Sequence, residues 1–132
     1  MRSENSARNR LAVATALAIG FGIASAAAAP PPAGARREID HLLQYIGNSK
    51  CSFDRNGTWY DAKAALAHVR MKYDFLLMQD RISTTEDFIE MAATKSSMPF
   101  GEPYAVKCDG RSPLPSSAWL SAELARFRAP RP

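Results

Sequence analysis

Cys51–Met78 reads CSFDRNGTWYDAKAALAHVRMKYDFLLM and contains the signals for a hairpin and a long helix. Asn56-Gly57 favours a type I′ turn, because both central residues of that turn need a positive φ. Apolar and aromatic residues flank the dipeptide, as expected for two short strands. Asp61 is a good helix N-cap, and neither Gly nor Pro interrupts residues 62–78. We therefore predict a β-hairpin followed directly by a helix.

The helix predicted over residues 62–78 is apolar on two sides. At 100° per residue, one stripe contains Ala62, Leu66, Val69, Tyr73, Leu76 and Leu77. The roughly opposite side contains Ala64, Ala67, His68, Met71, Phe75 and Met78, and a polar strip of Lys63, Arg70 and Asp74 separates the two. A surface helix needs only one apolar stripe. We therefore expect a central helix that other elements cover from both sides.

Four further elements follow from periodicity and capping signals. They are a helix over Glu38–Gly47, a helix after a capping box of Ser83 and Glu86 that ends near Lys95, a strand over Glu102–Cys108, and a last helix capped by Ser116 or Ser117. The strand should pair with the hairpin strand that carries Cys51 and Phe53. The order α-β-β-α-α-β-α predicts a small single α+β domain, with a roughly three-stranded antiparallel sheet packed against helices.

The N-terminal segment is typical of a secretory signal peptide. Three arginines precede an apolar run from Leu11 to about Ala24, and small residues allow cleavage after about Ala26 or Ala28. The alternative is an uncleaved membrane anchor, because the run is just long enough to span a bilayer. We expect a signal peptide over 1–28, a Pro/Ala-rich linker over 29–35, the domain over 36–128 and a tail over 129–132.

The positive charge of the chain belongs largely to this segment. The chain has 17 Lys and Arg against 13 Asp and Glu, and removal of residues 1–28 leaves 14 against 12. A net charge this small is no evidence for nucleic-acid binding. After cleavage we expect neither a nucleic-acid partner nor attachment to a membrane.

Cys51 and Cys108 are the two cysteines of the chain. In an oxidising compartment outside the cytoplasm they should form a disulfide, which would contribute about 4 kcal/mol in the chain-entropy model. Two free thiols, or a metal-binding or redox-active pair, are the alternatives.

One polar cluster is a candidate ligand-binding site. His68 and Lys72 lie one turn apart on the predicted helix, Arg55 precedes the hairpin turn, and Ser96 and Ser97 lie in a loop. These side chains could bind a small acidic ligand or a peptide carboxylate. Alternatively His68 is a core histidine, Lys72 extends to solvent, and the serines cap backbone groups.

Signals for catalysis are weaker. Ser96 or Ser97 could act with His68 and an aspartate, Asp74 or Asp87, but no nucleophile-elbow sequence supports a hydrolase. Two histidines and two cysteines show no zinc spacing, and the methionines at helical spacing are typical core residues. We therefore expect no catalytic residue, no metal and no cofactor.

Several short strings of the chain resemble an uncharacterised family of small exported bacterial proteins that includes the YfeK-like proteins. They are Phe53-x-Arg55-Asn56-Gly57, Ala65-x-x-His68-x-Arg70-x-Lys72, Ile82-x-Thr84-x-Glu86-Asp87-Phe88-Ile89, Ser96-Ser97 and Gly101-x-Pro103-Tyr104-x-Val106. The resemblance spans about Glu38 to Leu124. It implies export to a Gram-negative periplasm and one small domain, and it brings no activity, ligand or catalytic residue. Some YfeK-like members lack the cysteine pair, so the resemblance makes the disulfide a stability feature of this branch.

Three functions are compatible with these features. We favour a non-catalytic periplasmic domain that binds a partner protein or a small acidic ligand. The alternatives are a small envelope hydrolase that uses Ser96 or Ser97 with His68, and a structural or stress accessory of the cell envelope.

Overall fold

The computed structural model of the chain describes residue 20, residue 22 and residues 29–132. The expected signal peptide lies almost entirely outside these residues. The elements are α1 (Ala33–Asn48), β1 (Ser52–Arg55), β2 (Thr58–Tyr60), α2 (Ala62–Met78), α3 (Thr85–Ala92), β3 (Ala105–Lys107), β4 (Leu114–Pro115) and α4 (Ser116–Arg128). The small α+β domain is confirmed.

The sheet is antiparallel with strand order β2-β1-β3-β4. It has four strands where the sequence predicted about three, because Leu114–Pro115, for which we predicted no strand, pairs with β3. A two-residue strand that contains a proline carries no alternating pattern from which it could be predicted. The predicted pairing of the hairpin with the later strand is confirmed, since Phe53 lies opposite Val106.

The hairpin forms as the Asn56-Gly57 signal predicts. Asn56 has φ 53° and Gly57 has φ 82°, the positive values that a type I′ turn requires. The carboxylate of Asp54 accepts a hydrogen bond of 2.8 Å from the backbone N–H of Gly57. Because the loop has two residues, Phe53 is in register with Tyr60, and both lie on the face of the sheet that meets the helices.

The prediction that α2 is covered on both sides is wrong. Val69, Tyr73 and Leu76 are buried against the core, but Met71 and Phe75 are 60% and 55% exposed. Within residues 29–132, α2 packs mainly against α1, α3 and β1, and the side with Met71, Phe75 and Met78 stays exposed. Helical periodicity identified both apolar stripes, but it carries no information on how many neighbours the helix has.

Three helix starts differ from the predictions. α1 begins at Ala33, inside the expected linker, because Pro32 serves as its N-cap and accepts a hydrogen bond from Arg36 N–H. The capping box of α3 uses Thr84 and Asp87, one residue later than predicted. α4 begins at Ser116 without a side-chain cap. The capping box of α3 moves by a single residue, as expected where neighbouring residues can serve as caps, whereas α1 begins five residues before the predicted Glu38.

The predicted disulfide between Cys51 and Cys108 is confirmed. The two cysteines lie directly before β1 and after β3, and the next pair, Ser52 and Lys107, is in register across the sheet. The bond therefore fastens two strands that already pair. No helix of the described residues is long and apolar enough to cross a membrane.

Candidate functional site

A pocket of about 130 Å³ lies between the inner face of the sheet and α2. The sheet contributes Phe53, Arg55 and Tyr60, because alternate residues of a strand point to the same face. The side chains that line it are mostly apolar, with a few polar groups on one side. The full lining is Ile46, Phe53, Asp54, Arg55, Tyr60, Ala64, Ala65, His68, Val69, Tyr104 and Ser116.

Arg55 and His68 form the first contact of the polar side. Arg55 NH1 lies 2.6 Å from His68 Nδ1. Because a guanidinium can only donate hydrogen bonds, Nδ1 must accept and the imidazole proton is on Nε2. That Nε2–H donates to the hydroxyl oxygen of Tyr104 at 3.0 Å. Burial lowers the pKa of His68, and the charges of Arg55 and Lys72 lower it further, so the imidazole is neutral at pH 7.

Lys72 reaches the same tyrosine from the next turn of α2. Its Nζ donates to Tyr104 Oη at 3.3 Å and to the backbone carbonyl of Lys95 at 2.7 Å. The residue is only 8% exposed, and this burial lowers the pKa of its amine to about 8. Burial also raises the pKa of Tyr104. The tyrosine oxygen thus accepts from two donors and joins His68 to Lys72.

Tyr60 holds Arg55 from the other side. Arg55 NH2 donates to Tyr60 Oη at 3.2 Å, and the guanidinium carbon lies 4.6 Å from the centre of the tyrosine ring. These contacts, together with that to His68, orient the guanidinium in the pocket wall. Tyr60 and the neutral His68 both contact the guanidinium of Arg55, but neither carries a negative charge that would neutralise it.

Among the residues that the structure describes, no carboxylate forms an ion pair with Arg55 or Lys72. Within residues 29–132, the ion pairs involve His41, Arg126 and Arg128, and none includes Arg55 or Lys72. Asp54 is the one acidic residue in the pocket lining, but consecutive strand residues point to opposite faces and its carboxylate accepts from Gly57 N–H. The polar side of the pocket therefore carries uncompensated positive charge.

The two serines of the predicted cluster lie outside the pocket. Ser96 is buried, and its Oγ is 3.4 Å from Asn56 Nδ2 and 3.3 Å from the backbone N–H of Met98. It therefore organises the loop and touches the hairpin turn. Ser97 is exposed. The structure thus joins Arg55 to His68 directly, and it joins His68 to Lys72, which is not part of the pocket lining, through Tyr104. Ser96 contacts Asn56 beside Arg55, and Ser97 stays apart.

The sequence reasoning missed the two tyrosines that join this cluster. Tyr60 is the register partner of Phe53, so the predicted hairpin already indicated that it shares a face with Arg55. Tyr104 lies 36 residues from His68 along the chain. Its position follows from the predicted pairing of the later strand with the hairpin, which brings the start of that strand towards α2.

The comparisons with known proteins assign no activity to this geometry. The model of DUF5329, described as a family of unknown function, matches residues 33–128. Neither the curated proteins nor the solved structures provide a match to the chain.

Proposed function

The chain belongs to DUF5329, a family of unknown function, and we propose that it is a non-catalytic binding domain whose pocket takes a small acidic ligand. The ligand carries a carboxylate on a compact apolar body. The observation that carries this proposal is the uncompensated guanidinium of Arg55 in the wall of a mostly apolar pocket. A partner protein could present the same group at the end of its chain.

The charge of the cluster favours an anion. A partly buried cation without a counter-ion is costly, and a carboxylate beside Arg55 would remove that cost. Arginine is also the side chain best suited to a carboxylate, because two parallel N–H groups can bind its two oxygens. Only part of the donor capacity of Arg55 is used by His68 and Tyr60.

The size of the pocket limits the apolar part of the ligand. A dry cavity of about 150 Å³ accommodates benzene, so the volume of about 130 Å³ found here suits one small ring or one branched aliphatic group. Phe53, Val69 and Ala65 provide apolar walls for it. A free nucleotide or a sugar chain would be too large and too polar for this space.

The geometry supports binding over hydrolysis. A catalytic serine must reach a nitrogen of its histidine base, whereas here Arg55 and Tyr104 occupy the two nitrogens of His68. The depressed pKa of His68 also makes the imidazole a weaker base. An envelope hydrolase remains testable with a fluorophosphonate probe, and serine labelling that His68→Ala abolishes would support it.

We place the protein in the Gram-negative periplasm, with residues 1–28 as a signal peptide. The disulfide supports an oxidising compartment, and the three arginines and apolar run of the N-terminal sequence support export. Under this proposal the physiological ligand is a periplasmic metabolite or the terminus of a periplasmic protein.

Benzoate is a suitable probe, since it combines a carboxylate with a ring of the right size. In titrations followed by NMR we expect it to shift the resonances of His68 and Tyr104, and benzamide, which has the same shape without the charge, to bind at least about tenfold more weakly. Arg55→Met should weaken benzoate binding by a similar factor. Arg70→Met removes an exposed arginine on α2, outside the pocket lining, and is the matched control.

Two results would overturn the proposal. One is equal affinity for benzoate and benzamide, which would show that the pocket does not recognise charge. The other is an unchanged benzoate affinity in a folded Arg55→Met variant, with circular dichroism and thermal unfolding as checks on folding. Lys72 and His68 are left intact in both experiments, so the network that positions Arg55 changes as little as possible.

A further inference from the structure

The outer face of α2 carries several exposed apolar side chains. Met71, Phe75 and Met78 are each more than half exposed, with Met78 at 76%, and Ala67 extends the same face by one turn. The spacing of these four residues places them along one side of the helix. Within the part of the chain that the structure describes, all four side chains remain exposed. Contiguous exposed apolar side chains of this kind mark interaction surfaces.

We propose that this face binds the same face of a second copy of the chain, with the two α2 helices antiparallel across a two-fold axis. A two-fold interface uses one surface twice, so the surface must be complementary to itself. If the axis passes near residue 73, Met71 opposes Phe75 of the second copy, and Ala67 opposes Met78. Each opposing pair then contains one flexible methionine, which allows the helices to interdigitate.

The charges beside the face support a second copy as the occupant. Arg70 and Asp74 lie along the same border of α2, one turn apart, and both are exposed. Neither forms an ion pair within residues 29–132. In an antiparallel pair, Arg70 of each copy lies opposite Asp74 of the other, because a two-fold axis near residue 72 or 73 exchanges these positions. One face therefore provides both halves of two ion pairs.

The size of the face sets the strength of the pairing. Stable interfaces bury roughly 800 Å² per partner, and a single helix face of four exposed side chains falls short of that. The dimer should therefore be weak and should depend on concentration. It leaves Arg55 and the pocket lining unchanged, so the inference stands independently of the proposed function.

Sedimentation velocity of the purified oxidised protein, from about 20 µM to about 1 mM, tests the pairing. We expect the weight-average mass to rise with concentration in the wild type. Arg70→Asp and Asp74→Arg should each weaken the association at least about tenfold, because each places like charges opposite each other. An equimolar mixture of the two variants should restore association, since every opposing pair is then of opposite sign. The double variant Arg70→Asp/Asp74→Arg should also dimerise like the wild type.

The apolar contacts are tested by Met71→Glu and Phe75→Glu, each of which should leave the protein monomeric. Phe100→Glu is the matched control, because Phe100 is fully exposed on a loop outside this face. Circular dichroism should show that all variants remain folded, since the substituted side chains are exposed. A wild type that stays monomeric up to about 1 mM would overturn the inference, and so would variants of Met71 or Phe75 that associate normally. Failure of the mixed charge variants to associate would overturn it as well.

Discussion

Lys72→Met is expected to change how the stability of the protein depends on pH. The wild-type amine is buried, and its pKa is lowered to about 8 from an ordinary value of 10.5. Between these two values the unfolded chain binds a proton that the folded protein has released. The free energy of unfolding therefore rises with pH in this window. In other words, the destabilising effect of the buried charge is complete below pH 8 and disappears as the pH approaches 10.5.

The expected magnitude follows from the size of the shift. Each pKa unit corresponds to about 1.4 kcal/mol, so between pH 7 and about pH 9.5 the wild type should gain about 2 kcal/mol relative to Lys72→Met. The comparison stops at that pH because burial raises the pKa of Tyr73 and Tyr104. A raised tyrosine pKa reduces stability as the unfolded chain begins to lose its phenolic protons, which opposes the effect of Lys72.

Urea unfolding followed by the fluorescence of Trp59 and Trp119 measures this difference, with the disulfide intact. At pH 7 the substitution also removes the hydrogen bonds to Lys95 and Tyr104, so only the change with pH isolates the titration. Lys63→Met removes an exposed cation from the same helix and controls for general charge effects. A stability difference between wild type and Lys72→Met that stays constant from pH 7 to about pH 9.5 would refute the reasoning.

Two further predictions concern stability. Replacement of Cys51 and Cys108 by Ala should lower the free energy of unfolding by about 4 kcal/mol, because the disulfide joins residues 57 positions apart and restricts the unfolded chain. Chemical denaturation measures this change, and a loss below about 1 kcal/mol would contradict the chain-entropy account. Thr84→Ala should cost about 1 kcal/mol, because Thr84 Oγ1 accepts from the N–H of Asp87 at the start of α3. Ser83→Ala is the control, and thermal unfolding should show a smaller loss of stability for it than for Thr84→Ala. Equal losses of stability in the two variants would argue against Thr84 as the cap.

The parts of the fold that were predictable depend on local signals. The Asn56-Gly57 turn, the Asp61 cap and the start of α2 each follow from the conformations that two or three adjacent residues can adopt. The pairing of β1 with β3 followed from the strand pattern and the cysteines. The fourth strand, Leu114–Pro115, exists only because β3 lies beside it, so no local signal could reveal it.

The outer face of α2 shows a limit of periodicity. A helix packed on two sides and a helix with one side free for a partner require the same apolar residues, here Met71 and Phe75. Whether the second side of α2 is covered depends on where α1, α3 and the sheet pack, which the sequence of the helix does not reveal. The sequence does contain a clue in Arg70 and Asp74, whose charges border the exposed face, but their meaning depends on knowing that the face is free.

Local structure could group only some of the residues of the candidate site. His68 and Lys72 are neighbours on a helix, and Arg55 belongs to the adjoining hairpin, so these three could be grouped from local structure. Ser97 does not join them, because it is exposed where the adjacent Ser96 is buried. Tyr104 was missed because its hydroxyl reaches His68 only through tertiary packing.

The hydrogen bonds to Tyr104 also explain why the cluster should favour a ligand group that only accepts hydrogen bonds. The Arg55 guanidinium has five N–H donors and the Lys72 ammonium three, while His68 Nδ1, the Lys95 carbonyl and two tyrosine hydroxyls are the acceptors they contact. Tyr104 already accepts from two donors, so it has little capacity for a third. A group that only accepts, with two oxygens and no proton, restores the balance of donors and acceptors. A carboxylate meets that requirement, whereas an amine or an amide would add donors to a cluster that already has an excess.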